Sequence, residues 1–505
     1  MKRRICLYLI QIFTGAAAGK GYGARGDLTP GDALAPPKHR RRGGTMLKLL
    51  HHSPKHHCSS IYTLRTSPVS YSWPYSDHTT RIPQLHADAS SDTPPRPVHT
   101  LALHEHASTS LTATPISSTD LGAATQRPAD AAGVLPAQRL REAIERGWMR
   151  AGPWRIPDES VQPASVDLRL GDEAWALRCS FLPDLDSTVE EKSRDLAFER
   201  IDLRDGATLE RDRPYLIPLI EELQLPEGIR AKANPKSSTG RLDVFTRVLT
   251  DRSHRFDEIA PGYHGKLYLE VVPRTFAIRV KTGLALNQVR LMSADARLSD
   301  RELLALHRES PLLYMDSQPV EPSELSFADG LFVSLDVSGP ADAIVGYRAK
   351  KNSLPIDLTK VGELRWREYW EPVHPEQGGR IVLEPEVFYL LLSAEGVSIP
   401  PSYAAEMLAY DPTAGELRTH YAGFFDPGFG YSRKDGQGAR GSRAALEVRA
   451  RDVSFMVEHR QPVCKLAFER MSEEPDVLYG ADIGSNYQGQ LTMLSKHFLE
   501  HAGAE

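Results

Sequence analysis

Lys236-Ser237-Ser238-Thr239-Gly240-Arg241 sets two cations around three hydroxyls on a short segment that contains glycine. A chain of phosphates needs charge-assisted donors and backbone N–H groups that can approach closely, and this segment can supply both. A tight turn here puts Arg241 at the surface. Further on, Ala260-Pro261-Gly262-Tyr263-His264-Gly265 separates two strand-like runs, and Lys266-Leu267-Tyr268-Leu269-Glu270 alternates as a half-buried strand does. That pattern predicts a β-hairpin with a carboxylate on its second strand. Phosphate capture and a carboxylate able to move protons thus lie close together in the chain.

In this order, the three motifs resemble those of the dCTP deaminase branch of the dUTPase-like fold. In that family a K/R-S-S-x-x-R turn holds the triphosphate, a D-P-G-aromatic-x-G hairpin embraces the nucleoside, and a Glu in an L-E-aliphatic strand is catalytic. The resemblance runs from about Val134 to the C-terminus. Val161-Gln162-Pro163-Ala164-Ser165-Val166-Asp167-Leu168-Arg169-Leu170-Gly171 is similar to the family's opening strand, and Gln288 in Leu286-Asn287-Gln288-Val289 to its base-proximal C-Q-L strand. Tyr479 with Ser485-Asn486-Tyr487-Gln488-Gly489-Gln490 resembles the closing segment that covers the nucleotide, Gly489 giving it hinge freedom. The resemblance implies that Lys236, Ser237, Ser238, Arg241, Gln288, Tyr487 and Gln490 bind substrate. The reaction it implies is hydrolysis of dCTP to dUTP and ammonia.

The chain is read as containing the pattern twice. Tyr215 to Pro226 and Tyr389 to Pro400 share one hydrophobic plan. Ser238-Thr239-Gly240-Arg241-Leu242 answers to Thr413-Ala414-Gly415-Glu416-Leu417, Ala260-Pro261-Gly262-Tyr263 to Asp426-Pro427-Gly428-Phe429, and Leu269-Glu270-Val271 to Leu446-Glu447-Val448. Ordered matches of this kind predict a tandem duplication.

Charge separates the two copies. Where the first has Lys236, Ser237 and Arg241, the second has Asp411, Pro412 and Glu416, which repel a triphosphate. The second instead keeps Asp426 before Pro-Gly and the small Ala422 ahead of it, where the first has Ala260 and Phe256. Sites in the resembled fold lie between neighbouring barrels, so the expectation is a composite site: the turn of copy one facing the hairpin of copy two. Glu447 is then the favoured catalytic residue and Glu270 the alternative. Tyr263 and Phe429 read equally as core aromatics or as walls against the deoxyribose. The second hairpin is longer, 20 positions from Pro427 to Glu447 against 9 from Pro261 to Glu270. Its Arg433, Lys434, Arg440 and Arg443 read as a solvated loop or as a further anion contact.

Short strands with turn signals continue to about Leu291, with helices expected over 136–146 and 295–307 and a linker over 310–324. The fold class is mainly β: two tandem dUTPase-like barrel or sandwich domains, 133–310 and 325–505, with a few short helices. Residues 1–132 are rich in Pro, Ser, Thr, Gly and His without sustained periodicity, and read as a disordered extension. Lys2-Arg3-Arg4 followed by apolar residues imitates a secretory signal, but export would separate a nucleotide enzyme from its substrate pool.

That extension carries 15 Lys and Arg against 8 Asp and Glu, and the remainder 46 against 58. An acidic body offers nucleic acid no basic footprint. The resemblance implies dCTP as the partner, and the expectation is no nucleic acid, no membrane and a homo-oligomer. The four cysteines, Cys6, Cys58, Cys179 and Cys464, form no C-x-x-C pair, which fits a reducing cytoplasm. Zinc nucleobase deaminases require H-x-E with P-C-x-x-C. His307-Arg308-Glu309 and His374-Pro375-Glu376 satisfy only the first half of that signature. Deamination here is therefore expected to use no catalytic metal, with Mg²⁺ only as counterion of the triphosphate. Pyrophosphatases of the resembled fold use the hairpin Asp to activate water and lack the strand Glu. A dUTP pyrophosphatase, a bifunctional dCTP-to-dUMP enzyme and a non-catalytic deoxynucleotide-binding regulator remain alternatives.

Overall fold

The computed structural model describes residues 132–409, 417–419, 423–431, 441–480, 485–490 and 493–499. The extension through residue 131, the counterpart of the phosphate turn at 411–416, Ala422, and Arg433, Lys434 and Arg440 lie outside the described residues. The described residues all fall in one compact unit.

The first half opens with α1 (Ala137–Glu145), whose Leu140 and Ala143 face inward. Next come β1 (Val166–Arg169), β2 (Glu173–Leu177), α2 (Val189–Ser193), β3 (Tyr215–Gln224) and β4 (Ile229–Pro235). After α3 (Ser237–Gly240) follow β5 (Val244–Leu249), β6 (Glu258–Ile259), β7 (His264–Pro273) and β8 (Ala285–Ser293). Beyond α4 (Asp300–Glu309), the second half contributes β9 (Leu331–Ser334), β10 (Gly346–Ala349), β11 (Phe388–Val397) and β12 (Tyr403–Ala409). It ends with β13 (Leu417–Thr419), β14 (Phe424–Phe425), β15 (Ser442–Ala450) and β16 (Pro462–Arg470).

One antiparallel sheet of the first half runs β1-β8-β4-β6 and the other β2-β3-β7-β5. The second half runs β9-β16-β12-β14 and β10-β11-β15-β13, the same order with the same partners. Individual rungs match. Leu216 stands opposite Glu270, and Leu390 opposite Glu447. The hydroxyls of Tyr215 and Tyr389 each accept a backbone N–H, from Glu210 at 2.9 Å and Glu384 at 3.0 Å.

Burial explains why the first five residues of β11, Phe388 to Leu392, read as an unbroken apolar run rather than an alternating one. Tyr389 and Leu391 pack into the core of their own half, with Leu446 and Leu466. Phe388, Leu390 and Leu392 point the other way, into the core that holds Ile217, Leu269 and Val289 of the first half. A strand covered on both faces has no solvent side to mark with polar residues.

Two expectations change. The helix expected over 295–307 begins later, because Ser299 and Glu302 form a capping box that fixes its first turn: Ser299 Oγ accepts from the Glu302 N–H, and Glu302 accepts from the Ser299 N–H at 2.8 Å. The hairpin around Pro261-Gly262 is not a hairpin. β6 pairs with β4 while β7 pairs with β3 and β5, so the turn carries the chain from one sheet to the other. β14 and β15 do the same in the second half. Alternation shows that strands flank the turn but not which neighbours they take. The corner needs a left-handed glycine, at φ 71° for Gly262 and 96° for Gly428.

Candidate active site

Contacts between the halves bring α3 of the first against the β14–β15 corner of the second. Lys232 Nζ donates to Glu406 at 2.5 Å and Asn234 Nδ2 to the same carboxylate at 3.3 Å. Arg449 on β15 reaches back to ion-pair with Asp243, just beyond α3. Between α3 and the corner lies a cavity. Lys236, Ser237 and Arg241 line it from the first half, and Phe424, Asp426, Phe429 and Glu447 from the second. Tyr479, Tyr487 and Gln490 close it from the C-terminal segment.

Glu447 is 7% exposed. Burial pushes its carboxyl up to about 8, against the pull of the Arg241 guanidinium, while Asp243 adds a smaller push upward. A carboxyl in this range can hold a proton near neutral pH and also give it up, which is what general acid–base work requires. Glu270, on the equivalent rung, is differently placed. Arg247, opposite it on β5, donates to it through Nε at 3.1 Å, and that guanidinium lies 3.7 Å from the centre of the Phe256 ring. Glu270 does not line the cavity, and its charge is already matched.

The phosphate segment is a single helical turn. Lys236 forms an ion pair with Asp167 on β1, a partner that the motif alone does not reveal. Ser237 and Ser238 border a second hollow that continues from the cavity past Lys236, Asp167 and Gln288. Gln288 is thus brought to the Lys236 end rather than beside Glu447, its Oε1 accepting from Ser165 Oγ at 3.0 Å. Arg241 is not at the surface as expected but 3% exposed. Its guanidinium stacks 3.7 Å from the Tyr487 ring centre, and Nη1 donates to the carbonyls of Met493 and Leu494 at 3.3 Å. The C-terminal segment folds over this arginine and supplies an aromatic face, so the side chain turns inward.

The two corner aromatics part company. Phe429 lines the cavity, edge-on to Phe425 at 5.0 Å. Tyr263 stays on the other corner, its hydroxyl donating to the Lys266 carbonyl at 2.6 Å, and the structure does not bring it to the cavity. Asp426 is 7% exposed; burial raises its proton affinity, and Arg290, bonded to it at 3.0 Å, opposes that. Gln490 donates to the Arg443 carbonyl at 2.6 Å, and Gln488 grips the corner by accepting from the Gly430 N–H at 3.0 Å and donating to the Gly428 carbonyl at 3.3 Å. Ser495 Oγ donates to the Ser238 carbonyl at 3.0 Å. The segment is thereby fastened to both walls.

Asp167, Phe424 and Arg290 are site residues that sequence reasoning missed. Asp167 and Arg290 each left a trace, as a charged residue between two apolar neighbours in a strand (Val166-Asp167-Leu168 and Val289-Arg290-Leu291). Among the described residues, no helix is long and apolar enough to cross a membrane.

Comparison with known proteins bears on this geometry. Residues 131–295 match the family model described as the 2'-deoxycytidine 5'-triphosphate deaminase (DCD) N-terminal domain, and residues 299–498 match its C-terminal domain. A relative from Methanothermobacter thermautotrophicus named "dCTP deaminase, dUMP-forming" is 28% identical over 139 residues, 27% of this chain and 67% of that protein. One from Haloarcula marismortui named "dCTP deaminase" is 26% identical over 139 residues, covering 27% and 68%. The crystal structure of 2'-deoxycytidine 5'-triphosphate deaminase from Agrobacterium tumefaciens is similar at a TM-score of 0.63 and 41% identity, over 69% of this chain and 100% of that one. Its likeness extends to the mainly β, dUTPase-like architecture. On these grounds the chain belongs to the 2'-deoxycytidine 5'-triphosphate deaminase family.

Proposed function

We propose that this chain hydrolyses the exocyclic C–N bond of dCTP, giving dUTP and ammonia, at one composite site built from a duplicated fold. The observation that carries the reading is Glu447: a buried, proton-holding carboxyl that faces a cavity whose other wall is a cationic, hydroxyl-rich turn. Lys236, Ser237 and Ser238 take the triphosphate, and the β14–β15 corner with Asp426 and Phe429 takes the nucleoside. Arg241 lies between, near Glu447. Tyr487 and Gln490 cover the nucleotide, and the phosphates compete with the Met493 and Leu494 carbonyls for the Arg241 guanidinium.

The steps balance around one carboxyl. Protonated Glu447 gives its proton to cytosine N3, which makes C4 electrophilic. The resulting carboxylate takes a proton from water as the oxygen bonds to C4. Glu447 passes that proton to the amino group, the C4–N bond breaks and ammonia leaves. The C4 hydroxyl then returns a proton to Glu447, leaving dUTP and a protonated carboxyl. Backbone donors at the corner stabilise the tetrahedral adduct. In this reading Glu447 does the proton work and Mg²⁺ accompanies the triphosphate as part of the substrate.

A second reading, a bifunctional enzyme carrying dCTP on to dUMP, is favoured by Asp426 in the cavity wall. It also matches the dUMP-forming name of some relatives. Incubation with dCTP, with ammonia, dUTP and dUMP measured separately, tests both. Ammonia with equimolar dUTP supports the first reading, ammonia with dUMP and pyrophosphate supports the second, and bound dCTP without ammonia overturns both.

A further inference from the structure

Arg290 belongs to none of the sequence motifs, yet it is the most completely buried arginine bordering the site, with no exposed surface. It stands on β8 of the first half and directs its donors at the second. Nη1 donates to the Ala405 carbonyl, and Nη2 to the Phe425 carbonyl and the Asp426 carboxylate, all at 3.0 Å. The guanidinium lies 3.9 Å from the Phe424 ring centre, and the Glu469 carboxylate is 3.9 Å away.

Ladder register identifies what stands at the equivalent place. Arg290 pairs with Lys232, which faces Glu258, two residues before Ala260. Ala467 pairs with Glu406, which faces Phe424, two residues before Asp426. The counterpart of Arg290 is therefore Ala467, and the counterpart of Asp426 is Ala260. The ion pair exists at the corner that walls the cavity, and both of its members are alanine at the other corner. A pair needed only to fasten a corner to a neighbouring strand would serve both corners alike.

We propose that Arg290 is a positioning residue of the active site, locking Asp426 and the Phe424–Phe425 wall into the single arrangement that receives the nucleotide. This rests on the deaminase reading above. A planar guanidinium fixes direction as well as charge, since its donors leave in a rigid fork. Held at the Phe425 carbonyl and the Asp426 carboxylate, and tied to the Ala405 carbonyl of β12 beside it, the corner cannot drift relative to α3 and Glu447. A shift of about 1 Å at such a wall costs on the order of a hundredfold in rate. The charged groups around Asp426 besides Arg290 are Lys236, which also favours the ionised form, and Asp167, which opposes it.

The test compares the full chain with Arg290→Met, Arg290→Lys, Asp426→Asn and the Arg290→Met/Asp426→Asn double variant, by ammonia release from dCTP and thermal unfolding. Arg290→Met should lower kcat/KM about a hundredfold. Arg290→Lys, which keeps the charge and part of the bonding, should recover to within about tenfold of the parent. In the Asp426→Asn background, adding Arg290→Met should cost no more than about threefold, because the two side chains act as one unit. Loss of the same factor in both backgrounds, or an unchanged kcat/KM for Arg290→Met, overturns the proposal. If Arg290→Met does not fold, Arg290→Lys in the two backgrounds carries the same comparison. A parent chain that binds dCTP but releases no ammonia sinks the deaminase reading instead. The coupling is then read in dCTP affinity, with the same two outcomes.

Discussion

Glu270 and Glu447 hold equivalent rungs of equivalent ladders, opposite Leu216 and Leu390, and their surroundings divide their work. Arg247 grips Glu270 within the first half, whereas Glu447 faces a cavity shared with the other half. The Glu270 carboxylate is engaged by a guanidinium and does not line that cavity. A carboxyl buried beside apolar and aromatic walls, with a cation only nearby, keeps a proton that it can deliver.

The pH dependence of kcat/KM should follow Glu447. Its carboxyl lies near 8 in the folded chain, against an ordinary 4.5. The proposed first step needs the protonated form, so kcat/KM should be flat below about 7 and fall as pH rises through about 8. Stability should move in the same direction. The raised value adds stability that is whole below 4.5 and lost as pH rises to 8, because the unfolded chain then ionises this carboxyl freely while the folded chain must hold its proton. Thermal scans from pH 5 to 9 should show Glu447→Gln gaining on the parent chain with rising pH. A constant difference across that range contradicts the assignment.

Arg241→Glu should abolish dCTP binding measurable by calorimetry at millimolar nucleotide. It should also lower the melting temperature, since this side chain stacks on Tyr487 and is 3% exposed. Arg241→Met is the milder probe. Without the guanidinium the Glu447 carboxyl should rise further, moving the alkaline limb of kcat/KM upward. Unchanged dCTP affinity in both variants sinks the role of Arg241.

Tyr487→Ala removes the aromatic face over Arg241, a contact of about 0.5–2 kcal/mol. The KM for dCTP should rise about two- to thirtyfold, with a small change in melting temperature. A larger deletion of the same segment is a poor test. Phe498 is 2% exposed and packs on Tyr369 and Trp370 at 5.5 and 6.3 Å, so truncation would open the core.

Much of this was legible in the sequence, for reasons that differ by residue. Alternation at Leu267-Tyr268-Leu269-Glu270 gave strands because side-chain direction has a period of two. Charge pointed to an asymmetry of the halves, since Glu416 answers to Arg241 in the sequence, though 411–416 lie outside the described residues. Partnership was not legible. Nothing local in Pro261-Gly262 distinguishes a hairpin from a corner, because the flanking strands look the same whichever sheet they join. Arg241 turned inward because Tyr487, far along the chain, offers it a face, and Asp167 and Arg290 matter only through residues that folding brings to them.

The most direct measurement is ammonia release from dCTP by Glu447→Gln and Glu270→Gln, each paired with dCTP affinity. Glu447→Gln should release none while binding dCTP normally, because the amide keeps the shape but cannot carry the proton. Glu270→Gln should keep its rate within about tenfold, roughly 1.4 kcal/mol of barrier, with a lower melting temperature because Arg247 loses its partner. An inactive Glu270→Gln beside an active Glu447→Gln would contradict the composite site and move the chemistry to the first half alone.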